Sequence, residues 1–479
     1  MLAAIPAQGL PTDEYFRLLQ PFVASIGDSH TGIRMQSGSL DPLFLPLAMR
    51  SVEHELVVEK VADSKLESLL GARLVSIEGV SLPELLSRQS ATRGMENLYG
   101  HLVLLNLRTL ATRQGLKQLL PEWRGGDTIR VELSRRTGDL LPTELRLLDE
   151  PPVVWETLPT RVHMPSTAAS DVTFAFLDAE RSTALLVISN LMRYREACEL
   201  WFAEGLAPAE EMTKEAYEHF HGTPVPDDRE ELLAGIPSAT EAIADLMRQM
   251  AAAGTRNLIV DLRGNTGGNS ALREILVYLL YGDTAMHSLD NGYQIVKLSR
   301  LLFEQYDGYS LEQANQGQPF QLLSTDYDFR DEVSYRQPHV AGEDSGSPYL
   351  AGSPSFWNVY QTEEFHEAGR GPSQVLVLSS PSTFSSGFNV LTGLHAMGAR
   401  VVGTPSAQPG NNFGDVLQFQ LKNTGLEAFV SHKRNITFPD DPEKGRCLQP
   451  HYPITLEKFA IYDFDPNAEI LLALEILSG

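Results

Sequence analysis

Two short apolar runs constrain this chain more than anything else in it, because each leads at once into a small-residue loop and then a helical pattern. TRNLIVDL (255–262) runs into RGNTGGN (263–269) and then SALREILVYLLYG (270–282), with Leu272, Ile275, Leu276 and Leu279 on one helical face. QVLVLSS (374–380) runs through a loop into SGFNVLTGLHAMG (386–398), apolar at Phe388, Leu391 and Leu394, and on to ARVVG (399–403). A continuous apolar strand expects cover on both faces, and strand–helix–strand connectivity demands a crossover. Residues 153–479 therefore predict an α/β core, a parallel sheet layered with helices.

The remainder divides around this core. A chain of 479 residues is long enough for two or three domains. Residues 1–42 form a short segment that is helical at first: TDEYFRLLQPFVASIG places Tyr15, Leu18, Leu19, Phe22, Val23 and Ile26 near helical spacing, with Thr12 or Asp13 as N-cap and Gly27 as the break. Residues 43–150 read as β-rich, with LVVEKV, ARLVSIEG and TIRVELSR as strands, LPELL as a short helix and residues 98–120 as helical. Pro151-Pro152 closes this region like a linker. Inside the core, residues 283–370 are polar, aromatic and rich in Gly and Pro, as expected of a surface insertion that forms a lid or substrate wall.

Charge and composition exclude some classes. Lys+Arg number 38 and Asp+Glu 62, a formal net charge of −24, which repels nucleic acid phosphates and anionic membrane surfaces. No apolar run approaches the roughly 20 residues that cross a bilayer, so no membrane insertion is expected. The start, MLAAIPAQGLPTDEYF, lacks the basic and long apolar regions of a signal peptide; the expectation is a cytoplasmic protein, or an exported one if a leader has been removed. Cys198 and Cys447 are expected as free thiols. Nothing has metal-ligand spacing: His219 and His221 in EHFHG read as a solvated helix face, and no metal or organic cofactor is expected.

Chemistry is concentrated where loops meet helices. Ser385 and Ser386 lie at a helix N-terminus, where backbone N–H groups lack internal partners; either is an N-cap, or one is a nucleophile with the Ser386 N–H beside it as an oxyanion donor. Gly267 and Gly268 in RGNTGGN let a substrate approach the backbone and would supply a second donor; the rivals are an ordinary turn and a phosphate cradle, although the loop matches neither GxGxxG nor GxxxxGK[ST]. A serine nucleophile needs a base. His30, in GDSHTG at a helix-to-loop break, suits a side chain that reaches a cleft, whereas His395 lies about ten residues along the helix that Ser385 opens and points away.

DLRGNTGG, STFSSGFNVL and ARVVGTPSAQPGNNFGD, in that order, resemble the core of the C-terminal-processing (tail-specific) and tricorn serine peptidases; DSHTG resembles their aspartate–small–His–Thr signature, and DFDPNAEILLALEIL their C-terminal helix. The resemblance implies a ClpP/crotonase-like layered core, an inserted PDZ-like domain over residues 43–150 (LLGARLVSIEGVSLPELL its best piece), and hydrolysis of a peptide or protein substrate through an acyl-enzyme. Family members with a Ser–Lys dyad carry a lysine downstream of the serine; Gly410 stands at that position. The tricorn-like style uses Ser, His and Glu, which implies Ser385 as nucleophile, His30 as base, and Glu443 in DDPEKGRCLQP holding the imidazole directly or through Ser29, with Asp440 and Asp441 close by. Phe388 and Asn389 stand where the family often has a glutamate. The fold also serves non-catalytic peptide or apolar-ligand binding, and a crotonase-like acyl-CoA enzyme shares the core without any adenine or phosphate signal here. Oligomeric state is left open, a homodimer being one option.

Overall fold

In the computed structural model the two apolar runs become adjacent strands of one sheet. The structure describes all residues except 1–4, 7–8, 36–42, 107–109, 111–112, 207, 290–291, 297–298, 306–335, 338–349, 368–370 and 479. The chain forms two compact units, each gathered from separated segments. One comprises Met1–Thr157, Asn291–His339 and Pro409–Leu448, the other Leu158–Asp290, Val340–Gln408 and Gln449–Gly479.

The second unit holds the layered core. Its strands β1 (Val172–Phe176), β2 (Thr183–Ile188), β3 (Asn257–Asp261), β4 (Gln374–Ser379), β5 (Arg400–Gly403) and β6 (Tyr452–Pro453) lie side by side in chain order. Only β1–β2 is antiparallel; the other pairs are parallel. β2 is buried at every position, as its run TALLVI requires of a strand covered on both faces. Four helices frame the sheet: α1 (Ala239–Ala253), α2 (Ala271–Tyr281), α3 (Ser386–Ala396) and α4 (Ala468–Ser478). α2 packs on α1 and α3, and α4 packs on β3, β4 and β5. Asp261 pairs with Leu378, so β3 and β4 end at the same edge of the sheet. The loop before α2 and the loop before α3 therefore leave the sheet side by side.

α4 is fastened by a buried cation. Arg263, just past β3, donates to Asp261 Oδ2 at 2.7 Å, to Glu469 Oε2 of α4 at 2.8 Å and to Asn467 Oδ1 at 3.0 Å. Burial works against its charge, but Asp261 and Glu469 outweigh that and hold the guanidinium further above its ordinary value.

The first unit carries two other sheets. In one, Leu47–Val52, Glu55–Val61, Arg73–Ile77, Thr128–Ser134 and Leu140–Arg146 form an antiparallel series, with Val80–Ser81 beside Arg73–Ile77 and Glu156–Thr157 beside Glu55–Val61. The three strands expected from LVVEKV, ARLVSIEG and TIRVELSR are all here. LPELL opens the helix Leu82–Ser90, and the 98–120 stretch resolves into helices Leu98–Leu104 and Arg113–Leu119. In the other sheet, Asn411–Gln420 and Glu427–Ile436 form a long hairpin, flanked by Gly32–Arg34 and Tyr293–Val296.

One local expectation is corrected. The first helix, Thr12–Ala24, takes Pro11 as its N-cap and has no side-chain cap bond, so neither Thr12 nor Asp13 caps it. Most of the expected 283–370 insertion lies outside the described residues; helices Asp283–His287, Arg300–Gln305 and Pro354–Tyr360 are within them. Among the described residues no helix is long and apolar enough to cross a membrane.

Glu469 is fully buried beneath Arg263. Arg263→Met should therefore destabilise the core by about 3–5 kcal/mol, because it strands a buried carboxylate, and Arg263→Met/Glu469→Met should recover part of that loss. Urea unfolding followed by far-UV circular dichroism measures both; an unchanged midpoint in the single variant contradicts this assignment.

Candidate active site

Ser385 opens α3 in a conformation that a capping serine does not need. Its φ is 51° and ψ −125°, and although it occupies the N-cap position its side chain makes no cap hydrogen bond. A non-glycine residue held at positive φ is strained, and such strain persists only where neighbours impose it. The imposing contacts are on both sides. The Ser385 N–H donates to Gln408 Oε1 at 2.6 Å. Before it, Ser380 Oγ donates to the Arg263 carbonyl at 2.6 Å and Thr383 Oγ1 to the Leu262 carbonyl at 2.9 Å, which lashes the loop to the end of β3.

Asn265 joins that lashing to the glycine loop. Its side chain is fully buried. Nδ2 donates to the Ile188 carbonyl at the end of β2, Oδ1 accepts from the Gly267 N–H, and its own carbonyl accepts from the Phe384 N–H, each at 2.9 Å. Gly267 can be nothing larger: its φ is +105° and a Cβ there would lie 2.6 Å from the Ser385 Cβ. Gly268 is equally confined, since a Cβ would lie 2.3 Å from the Leu191 carbonyl. Ser386 ties the two loops together, its Oγ donating to the Gly268 carbonyl at 2.6 Å and lying 2.8 Å from Ser270 Oγ.

These bonds sort the expected oxyanion donors. The Gly267 N–H is already used inside the loop. Among the described residues the Ser386 and Gly268 N–H groups have no acceptor. Of the two glycines, Gly268 is the one whose N–H has no acceptor among the described residues.

The DSHT turn of the first unit is built around Asp28, which is almost wholly buried. Asp28 Oδ1 accepts from the His30 N–H at 2.8 Å, and Oδ2 accepts from the hydroxyls of Thr31 and, at 2.8 Å, Ser431. The turn is thus fixed to the strand Glu427–Ile436. A second segment, ATRGMEN, comes alongside through Gly94, where a Cβ would lie 2.8 Å from the Ala24 carbonyl and 3.1 Å from the Asp28 nitrogen. This close approach brings Arg93 and Glu96 to the histidine. Arg93 Nη2 donates to the Ser29 carbonyl at 3.0 Å, and Ser29 Oγ lies 3.2 Å from His30 Nδ1 and 3.2 Å from Glu96 Oε1.

The electrostatics follow from this crowding. Burial lowers the His30 pKa below the ordinary value; Asp28 opposes it, Arg93 adds to it and Asp415 opposes it. Burial, then the Asp28 charge, pushes the Glu96 carboxyl up to about 7, against the pull of the Ser29 hydrogen bond. Glu96 Oε2 is buried without a hydrogen-bond partner among the described residues.

Glu443, expected at the imidazole, is not brought to it. It sits in the short helix Pro442–Arg446 with its side chain 81% exposed, and its ion-pair partner is Arg446 at 3.5 Å. Glu96 takes the place beside Ser29 instead, and no motif around RGMEN announces it. At Gly410 a Cβ would lie 2.4 Å from the Phe438 ring, so the position has no space for the lysine of a Ser–Lys dyad. Asp28, His30 and Glu96 offer ligand atoms within 4.8 Å of one another, but both Asp28 oxygens are engaged by the turn, and the trio reads as a hydrogen-bonded group. Both cysteines are free thiols.

Comparisons with known proteins agree with this picture. Residues 229–427, which contain both loops and α3, match the profile of peptidase family S41. No curated protein sequence matches the chain. Among solved structures, mature CPAF complexed with lactacystin aligns with TM-score 0.54 and 14% identity over 98% of this chain and 90% of that one; mature CPAF alone gives 0.53 and 14% over 95% and 86%. The photosystem II D1 C-terminal processing protease aligns over 96% of this chain and 86% of that one with TM-score 0.39 and 12% identity, too low to argue from. The chain shares the CPAF fold, and residues 229–427, which hold the loops that present Ser385, are similar to peptidase family S41.

Proposed function

We propose that this protein is a serine endopeptidase of the tricorn-like style, with Ser385 as nucleophile and His30 as general base. One observation carries the reading: Ser385 is held at positive φ on a helix N-terminus with its side chain released from capping, beside two N–H groups that have no acceptor among the described residues. A serine serving only as a cap would relax to an extended N-cap conformation and use its hydroxyl on the helix. Strain of this kind is instead what exposes a nucleophile at a strand-to-helix turn.

In this reading His30 takes the Ser385 hydroxyl proton as Oγ attacks the scissile carbonyl carbon. The Ser386 and Gly268 N–H groups receive the oxyanion. His30 then delivers the proton to the leaving amine as the C–N bond breaks, and water, deprotonated by His30, releases the acyl group. Neutral imidazole is the competent form, and the burial that lowers the His30 pKa favours it. The substrate is a peptide or protein chain. The seven-stranded sheet of the first unit, in the PDZ-like reading, would take an extended peptide along an edge.

Cleavage of an unfolded substrate such as casein, followed by the appearance of new N-termini, tests this. The wild type should cleave, and Ser385→Ala and His30→Ala should each lose at least about 10³-fold in kcat. Binding of casein without any new N-termini would instead mark a non-catalytic member of the fold. Gly267→Ala should lose activity by about 10²-fold or more, because its Cβ displaces Ser385; activity within twofold of wild type would contradict the geometry.

A further inference from the structure

The Ser29 hydroxyl stands between two groups that each want its single proton. It lies 3.2 Å from His30 Nδ1 and 3.2 Å from Glu96 Oε1, and one hydroxyl hydrogen cannot serve both. The chain of hydrogen bonds must therefore run one way or the other. With Glu96 ionised, Ser29 donates to the carboxylate and accepts from His30 Nδ1–H. With Glu96 protonated, the carboxyl donates to Ser29 and Ser29 donates to a bare His30 Nδ1.

The two directions leave opposite tautomers of the neutral imidazole. The first leaves Nε2 unprotonated, with its lone pair on the ring nitrogen; the second places the hydrogen on Nε2 and leaves no lone pair there to accept a proton. The geometry points to Glu96 as the positioning residue of His30, its proton reversing the Ser29 relay and so choosing whether the imidazole presents a base or a donor at Nε2. This deepens the proposed function and rests on His30 acting as base through Nε2.

Several features of the site fit this role. Glu96 Oε2 has no hydrogen-bond partner among the described residues, and an ionised carboxylate there lacks support that a neutral carboxyl does not need. The Glu96 carboxyl is pushed up to about 7 by burial and by Asp28, so both directions are reached within the physiological range. The other charges facing the relay are fixed in place. Asp28 is locked by Thr31, Ser431 and the His30 N–H, Arg93 is bonded to the Ser29 carbonyl, and Asp415 is paired with Lys433. Glu96 is the carboxyl in this set that lies against the Ser29 hydroxyl.

Two measurements on the full chain test the proposal. In the first, kcat/KM for peptide cleavage is followed from pH 5 to 9. The wild type should lose activity on acidification with a midpoint near 7, that of Glu96, although an isolated His30 would titrate below 6.5. Glu96→Gln, which keeps the shape and removes the titration, should move the midpoint below 6.5, as should Ser29→Ala; Glu96→Asp, which keeps a titrating carboxyl, should move it back toward the wild-type value. A wild-type midpoint below 6.5, or a midpoint that moves in Glu443→Gln and not in Glu96→Gln, overturns the proposal.

In the second, ¹⁵N-histidine NMR reads the His30 tautomer, assigned by loss of its signals in His30→Gln. Protonated Nδ1 should dominate at pH 8 and protonated Nε2 just below pH 7, and the exchange should vanish in Glu96→Gln. One neutral tautomer throughout, with or without Glu96, overturns the proposal. This readout needs no turnover, so a protein that fails to cleave peptides yet shows the tautomer exchange would sink the peptidase reading alone.

Discussion

Asn265 is the residue on which the arrangement around Ser385 depends. It is fully buried, and its amide and its own carbonyl reach three separate pieces of chain: the end of β2 at Ile188, the glycine loop at Gly267, and the serine turn at Phe384. A buried amide that satisfies several backbone groups at once is worth keeping, because each of those groups would cost about 1–3 kcal/mol if left unpaired. The clasp also explains two glycines that a turn alone would not need. A Cβ at Gly387 would lie 2.6 Å from Asn265 Oδ1, and one at Gly267 would strike Ser385. The strain at Ser385 is thereby maintained from below by Asn265 and from the side by Gln408, while the Ser386 N–H has no acceptor among the described residues.

The histidine turn is organised by the opposite device, a carboxylate surrounded by donors. Asp28 is satisfied by a backbone N–H and two hydroxyls and serves as a fixed charge. Glu96 lies beside it with far fewer donors, and two neighbouring carboxyls in a buried space do not ionise equally. Glu443 differs from both: at 81% exposure its charge is screened by water and its ion pair with Arg446 is worth little.

Much of this was legible in the sequence, and the exceptions have physical causes. The crossover from QVLVLSS to ARVVG could only be a parallel pair, and β4 and β5 are that pair, with α3 between them. DLRGNTGG and STFSSG each read as a loop between a buried strand and a helix, and the structure brings the two loops to one edge of the sheet. What the sequence could not supply was the carboxyl that lies beside Ser29. Glu96 lies 67 residues from Ser29, in a segment whose only outward sign is Gly94, and a glycine that permits close approach looks like any other glycine until its neighbour is known. Glu443 was read from the resemblance of DDPEKGRCLQP to the family's motif, and a motif fixes a position along the chain without fixing which side chains meet. That the Gly267 N–H is taken up and the Gly268 N–H is not depends likewise on the Asn265 side chain, since local spacing gives both the same freedom. The N-cap of the first helix was misplaced by one residue because Pro11 precedes two good capping side chains and takes the position itself.

The central claim is that Ser385 is an activated nucleophile, and its reaction with a fluorophosphonate tests this most directly. Intact-mass and peptide mass spectrometry should find one phosphonyl group per chain, on the peptide that contains Ser385, with none on Ser385→Ala and a greatly slowed reaction on His30→Ala. An unreacted wild-type chain, or an adduct on a different residue, would contradict the account.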